Sequence, residues 1–136
     1  MPNLGVWTRA QDIDWERLPG QFVLKPNHGS GWCAIVNDKG TVDQGALARE
    51  AQQWLSVDYF DVSLQWGYRN LRRRLLAEPL LVGPDGGQVI EAQAHCFWGV
   101  PGLIRILQGR KHTSERRSTW LDATGRRVNE IGRAHV

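Results

Sequence analysis

Apolar and polar positions change rhythm several times along these 136 residues, and each change marks an element. Residues 18–40, LPGQFVLKPNHGSGWCAIVNDKG, open on the turn dipeptide Pro19-Gly20 and run through an apolar segment to Lys25. They then pass a small polar loop at 26–31 and return as a second apolar segment, Trp32 to Val36, which predicts strand, loop, strand. Over 41–57, Leu47, Ala51, Trp54 and Leu55 recur at the i, i+4, i+7, i+8 spacing of one helix face, with Asp43 or Thr41 placed to cap it. Aromatic residues at 59, 60, 66 and 68 are spaced irregularly and predict a short helix around Ser63 to Tyr68. Residues 74–82, RLLAEPLLV, form an apolar run broken by Glu78-Pro79, and Gly83-Pro84-Asp85-Gly86-Gly87 is a strong turn.

From 88 to 98 the chain alternates, with Ile90, Ala92, Ala94, Cys96 and Trp98 on one face and Val89, Glu91, Gln93, His95 and Phe97 on the other. A turn at 99–102 leads into the third strand of a meander at 103–107. Residues 108–117 read as a basic loop, 118–122 as a last short strand, and Thr124-Gly125 as a turn. The pattern predicts an α+β fold, an antiparallel sheet with a glycine-rich hairpin and one or two packed helices. Residues 1–17 read as a loosely ordered lead-in, 18–125 as one domain, and 126–136 as a tail expected to fray.

Composition changes this picture little. A hydrophobic fraction of 41% and a charged fraction of 23% suit a globular chain with one core, and the length is short for two domains. No apolar run approaches a membrane span, and the first 20 residues lack the basic start and apolar middle of a signal peptide, so a cytoplasmic location is expected. Cys33 and Cys96 are accordingly expected to be buried thiols and not a disulfide. Charge is less even: of the net +3, residues 61–136 carry +5, concentrated in Arg72-Arg73-Arg74, Arg110-Lys111 and Arg116-Arg117. Such runs are solvated faces or surfaces for polyanions.

The candidate chemistry lies in the first hairpin. Glycine accepts positive φ and permits close approach, so His28-Gly29-Ser30-Gly31 can turn backbone N–H groups toward one anion, with the Lys25 ammonium a strand-end away. The lysine precedes the glycines, which is not the P-loop order, and no helix follows at once, which excludes the dinucleotide fingerprint. Two readings remain, a turn whose glycines satisfy geometry alone and a hairpin that folds over phosphate.

FVLKPNHGSGW resembles the phosphate-loop signature of ATP-grasp enzymes, specifically of the TupA-like group associated with cell-surface polysaccharide and teichuronopeptide synthesis. The likeness runs in order from the acidic lead-in at Ile13-Asp14 through HGSGW, the helix with Trp54-Leu55, Trp66-Gly67-Tyr68, the segment LLAEPLL and Cys96-Phe97-Trp98-Gly99-Val100-Pro101 to Asp122. It implies that Lys25, His28, Gly29, Ser30, Gly31 and Trp32 hold phosphates and that Lys39 matches a lysine following the hairpin. It further implies that Glu78, Leu80 and Leu81 form an adenine hinge and that Glu91 meets the ribose. Gln93 stands where the family has a lysine, and an amide cannot neutralise phosphate.

The implied chemistry is ATP-dependent carboxylate–amine ligation through an acyl phosphate, with the nucleotide as partner and an acidic glycan or peptide as acceptor. Magnesium is expected only if its site is completed elsewhere: Asp122 and Glu130 are the only late carboxylates, and the family's further N-terminal region and metal-binding end are not visible. His28 and His95 lack neighbours at zinc-ligand spacing. Two alternatives stay open, a nucleotide-binding remnant without catalysis, and a basic, tryptophan-rich module for nucleic acid or acidic glycan.

Overall fold

The computed structural model of the chain describes residues 3–83, 89–109 and 117–128. They form two compact units divided between Leu80 and Leu81, where the sequence is read as one domain over 18–125. The division follows a strand that ends on Pro79, whose missing N–H stops a ladder. Each unit has its own antiparallel sheet, and the fold class is α+β.

In the first unit, β1 (Gly5–Trp7), β2 (Phe22–Pro26), β3 (Ala34–Val36) and β4 (Leu75–Pro79) assemble in the order β1-β4-β2-β3. Alternation along β2 and β4 puts Phe22, Leu24, Leu75 and Ala77 on one face, all fully buried. Helix α1 (Gln44–Ser56) covers that face with Leu47, Ala51, Trp54 and Leu55, the stripe its spacing predicts. Its N-cap is Asp43, whose carboxylate accepts from the Ala46 amide at 2.9 Å. The aromatic segment forms α2 (Tyr59–Ser63) and a 3-10 turn at Trp66–Tyr68, with the helix earlier than the spacing suggests because Asp58 caps it at the Phe60 amide.

The lead-in is not loosely ordered, contrary to expectation. β1 pairs with β4, and Ala10, Ile13 and Leu18 are buried in the core. Three residues are too few to show a strand period, and their order comes from pairing with a distant part of the chain. The opposite sheet face carries Val6, Val23, Ile35 and Leu76 together with Lys25 and Glu78, as the register requires.

The second unit is a three-stranded meander, β5 (Glu91–Phe97), β6 (Val100–Gln108) and β7 (Arg117–Asp122). Trp98 and Gly99 join β5 to β6 with φ of 48° and 81°, the two positive values of a tight hairpin turn. A register shift lies between His95 and Cys96. Glu91, Gln93 and His95 share a face with Arg105 and Trp120, and the Trp120 ring lies 5.1 Å from His95 and 5.4 Å from the Arg105 guanidinium.

Arg127 bridges to Leu121, and the Val128 amide donates to the Trp120 carbonyl, so the start of the expected tail is paired. The rest of that tail, Glu130 included, and most of the expected turn at 83–87 and loop at 108–117 lie outside the described residues. Cys33 and Cys96 are free, as expected, but exposed and not buried; Cys96 lies on β5, none of whose residues is buried.

Phe22 sits where β2, β4 and α1 meet, with no exposed surface. Truncation to alanine is expected to cost about 3–5 kcal/mol, the usual range for a buried phenylalanine, read as a lower urea midpoint at unchanged slope.

Candidate functional site

An α-helix leaves its last four carbonyls without intrahelical partners, and α1 ends beside the glycine loop. All four are satisfied. The Ser56 hydroxyl donates to the Gln53 carbonyl at 2.7 Å, His28 Nε2 to Trp54 at 2.9 Å, and Arg73 Nη1 to Leu55 and Ser56 at 3.1 and 3.2 Å. A carbonyl can only accept, so His28 carries its proton on Nε2. The Arg73 cation also suits the negative end of the helix dipole, and its other nitrogen meets the Asp58 carboxylate at 3.1 Å.

Asn27 fastens the near side of the loop. Its amide donates to the Arg74 carbonyl at 2.9 Å, its Oδ1 accepts from the Arg74 amide at 2.8 Å, and its Nδ2 donates to the Arg72 carbonyl at 3.0 Å. The far side is fastened by aromatic edges: the Trp32 ring stands 6.0 Å from His28 and 5.0 Å from Tyr59, which stands 4.9 Å from Tyr68. Between these anchors the glycines have separate reasons to be glycine. A Cβ on Gly29 would lie 2.6 Å from the Trp32 ring, and Gly31 has φ +83°. No hydrogen bond within the described residues engages the amides of Gly29, Ser30 or Gly31, and Ser30 and Gly31 are exposed.

Lys25 and Glu78 project from neighbouring strands onto the open sheet face and meet at 2.6 Å. The lysine assigned to phosphate and the acid assigned to the adenine hinge are therefore in contact. Both are partly exposed, and such a pair contributes about 0.2–1 kcal/mol, little enough for either partner to exchange it for a ligand.

Lys39 is turned elsewhere. Its ammonium donates to the carbonyls of Leu18, Trp15 and Glu16 at 2.6, 3.0 and 3.5 Å, fastening the lead-in beneath the hairpin. Leu80 is half-buried just beyond β4. Leu81 and Glu91 belong to the second unit, where Glu91 is exposed and accepts from Gln93 at 2.6 Å. The first unit thus brings together Lys25, Glu78 and the loop 28–32.

Asn27, Asp58 and Arg73 escape a reading of the sequence alone. Arg73 is hidden in an arginine run that reads as a solvated face, whereas an asparagine at the exit of a strand is a recognisable backbone mimic. Arg69 lies over the Phe60 and Trp66 rings at 5.1 and 4.6 Å, so Arg69 and Arg73 both have internal partners. Among the described residues no three His, Cys, Asp or Glu side chains gather as a metal-ligand group, and no helix is long and apolar enough to cross a membrane. Asp122 closes its own turn, its Oδ1 accepting from the Thr124 hydroxyl and from the amides of Thr124 and Arg126.

A family model described as TupA-like ATPgrasp matches residues 1–136, the full length given. Among curated proteins and among solved structures nothing matches the chain.

Asn27→Ala removes both side-chain bonds to the 72–74 backbone and is expected to cost about 1–3 kcal/mol, with faster hydrogen exchange at the Arg74 amide. At Asp122, the Thr124 hydroxyl and then the Arg126 amide favour the charged carboxylate and hold its pKa below the usual value. Its contribution to stability is thus present above the unfolded-state pKa and lost as pH falls through the folded one. An NMR titration of the Asp122 carboxyl carbon is expected to show the depressed midpoint, and Thr124→Val to move it upward.

Proposed function

The chain belongs to the TupA-like ATP-grasp family, and on that ground we propose that its first unit binds ATP on the open sheet face and glycine loop. The observation that carries the reading is the meeting of Lys25 and Glu78 beside a loop with three unengaged amides. The residues suit the nucleotide's parts. The amides of Gly29, Ser30 and Gly31 are donors for phosphate oxygens, with the Lys25 ammonium as a point charge. Glu78 is an acceptor for an exocyclic amino group, and the apolar side chains of Val23 and Leu76 on the same face suit an aromatic ring. His28, Asn27 and Trp32 position the loop, and Lys39 fastens it from below.

Before ligand arrives, Lys25 and Glu78 neutralise each other. Binding exchanges this weak pair for two charge-assisted contacts, lysine to phosphate and glutamate to the base, so both groups are already in place. ATP supplies the phosphoryl group for a ligase-type reaction; in the finer reading a carboxylate is activated and an amine attacks it, in the synthesis of a cell-surface polysaccharide. Binding by the first unit is the part of the reading that these residues support.

Millimolar Mg-ATP, if it stands at a hundred times Kd, is expected to raise the melting temperature by about 10–20 °C. Ligand at a hundred times Kd contributes about 2.7 kcal/mol, and each kcal/mol moves a domain of this size by about 4–8 °C. Lys25→Ala should remove most of the shift. No shift with wild-type protein, or the same shift with Lys25→Ala, would show the assignment to be wrong.

A further inference from the structure

Residues 57–72 of the first unit invert the usual division between inside and outside. The polar-tipped aromatics face the fold: the Tyr59 ring stands 5.0 Å from Trp32 and 4.9 Å from Tyr68, and both tyrosines are half-buried. The purely apolar side chains beside them are bare. Val62, Leu64 and Trp66 are 65, 72 and 70% exposed, and Val57 and Leu71 are exposed as well. One bare apolar side chain is ordinary, but five in one short segment form a patch of the kind that marks an interaction surface.

Leu64 gives a second, independent sign. It ends α2 with φ 56° and ψ 20°, its N–H donating to the Phe60 carbonyl at 2.7 Å, in the left-handed conformation that glycine ordinarily supplies at a helix end. A branched side chain strains the backbone there and, with most of its surface in water, gains little packing. Folding alone favours glycine at this position, so the leucine points to a contact outside the fold.

The charges around the patch indicate what that contact is. Trp66 is held 5.3 Å from the Phe60 ring, with the Arg69 guanidinium 4.6 Å over it. A ring does not neutralise a guanidinium, and neither Arg69 nor Arg72 has a carboxylate partner among the described residues. Of the two carboxylates in the segment, Asp58 is taken by Arg73. Two uncompensated cations therefore stand against Asp61 alone, beside bare aliphatic side chains and an indole. Nucleic acid offers valine and leucine nowhere to bury, whereas a membrane surface places anions above an apolar layer, with tryptophan favoured at the boundary.

We infer that residues 57–72 are a docking surface by which the first unit lies on an anionic lipid bilayer. Val62, Leu64 and Trp66 enter the boundary between headgroups and acyl chains, and Arg69 and Arg72 meet lipid phosphates. The surface uses neither Lys25, Glu78 nor the amides of 29–31, and so goes beyond the nucleotide reading.

The test is cosedimentation of the full chain with vesicles of phosphatidylcholine alone and of a phosphatidylcholine and phosphatidylglycerol mixture, over a range of sodium chloride. Binding is expected to the anionic vesicles, weaker as salt rises, and little to the neutral ones. Leu64→Gly should weaken it at least about tenfold, the loss of one large apolar side chain from the boundary. The same variant should keep or raise the melting temperature, because glycine relieves the strain. Val62→Ser should weaken binding likewise, Arg72→Gln should weaken it and flatten its salt dependence, and Lys25→Ala should leave it intact. The proposal fails if anionic vesicles do not bind the wild type, if Leu64→Gly and Val62→Ser bind as the wild type does, or if only Trp98→Ala, at the bare turn of the second unit, releases the protein. Concentration-dependent dimerisation lost in Leu64→Gly, without vesicle binding, would assign the patch to a second copy and overturn it too.

Discussion

The C-terminal end of α1 is where the first unit holds itself together. Four carbonyls that a helix cannot satisfy internally are taken by Ser56, His28 and Arg73, and two of these come from segments far away in sequence. His28 belongs to the loop after β2, and Arg73 to the segment entering β4. Satisfying one helix end therefore ties together the loop, the helix and the central strand. The loop cannot detach from this frame without baring a buried carbonyl, so its position is set by helix chemistry as much as by its own glycines.

Within that frame the unit separates two kinds of surface. One sheet face is dry and packed against α1; the other carries a single ion pair among apolar side chains. An isolated pair there contributes little to stability, which is what an exchangeable binding group requires. Stability resides in Phe22, Leu24, Leu75 and Ala77, on the face away from Lys25 and Glu78. Altering the chemistry of one face leaves the packing of the other largely untouched.

Much of this was legible in the sequence wherever structure is local. The stripe Leu47, Ala51, Trp54, Leu55 placed α1, Asp43 was one of two caps offered for its start, and alternation placed β5, while the turn expected at 99–102 falls earlier, at Trp98 and Gly99, with residues 100–102 already in β6. Where order comes from distant partners the sequence was silent. β1 is a strand because Val6 meets Leu76, and Ala10 and Ile13 are buried because α1 lies over them. Lys39 carried no sign that three carbonyls of the lead-in surround its ammonium, and Arg73 looked like its two neighbours until a helix end needed a cation. Cys33 and Cys96 were misjudged for a related reason, since burial depends on what distant parts of the chain pack over a segment, and nothing buries any residue of β5.

The contact between Gly29 and the Trp32 ring restricts how this loop can vary. A side chain at position 29 has no room while an indole occupies position 32, because even a methyl group would overlap the ring. A smaller residue at 32 would open that room but would also break the edge contacts to His28 and Tyr59. The two positions therefore form one unit of inheritance. A lineage leaving this pair has to change both together and rebuild the aromatic support, so single substitutions along that path pass through a badly fitted loop.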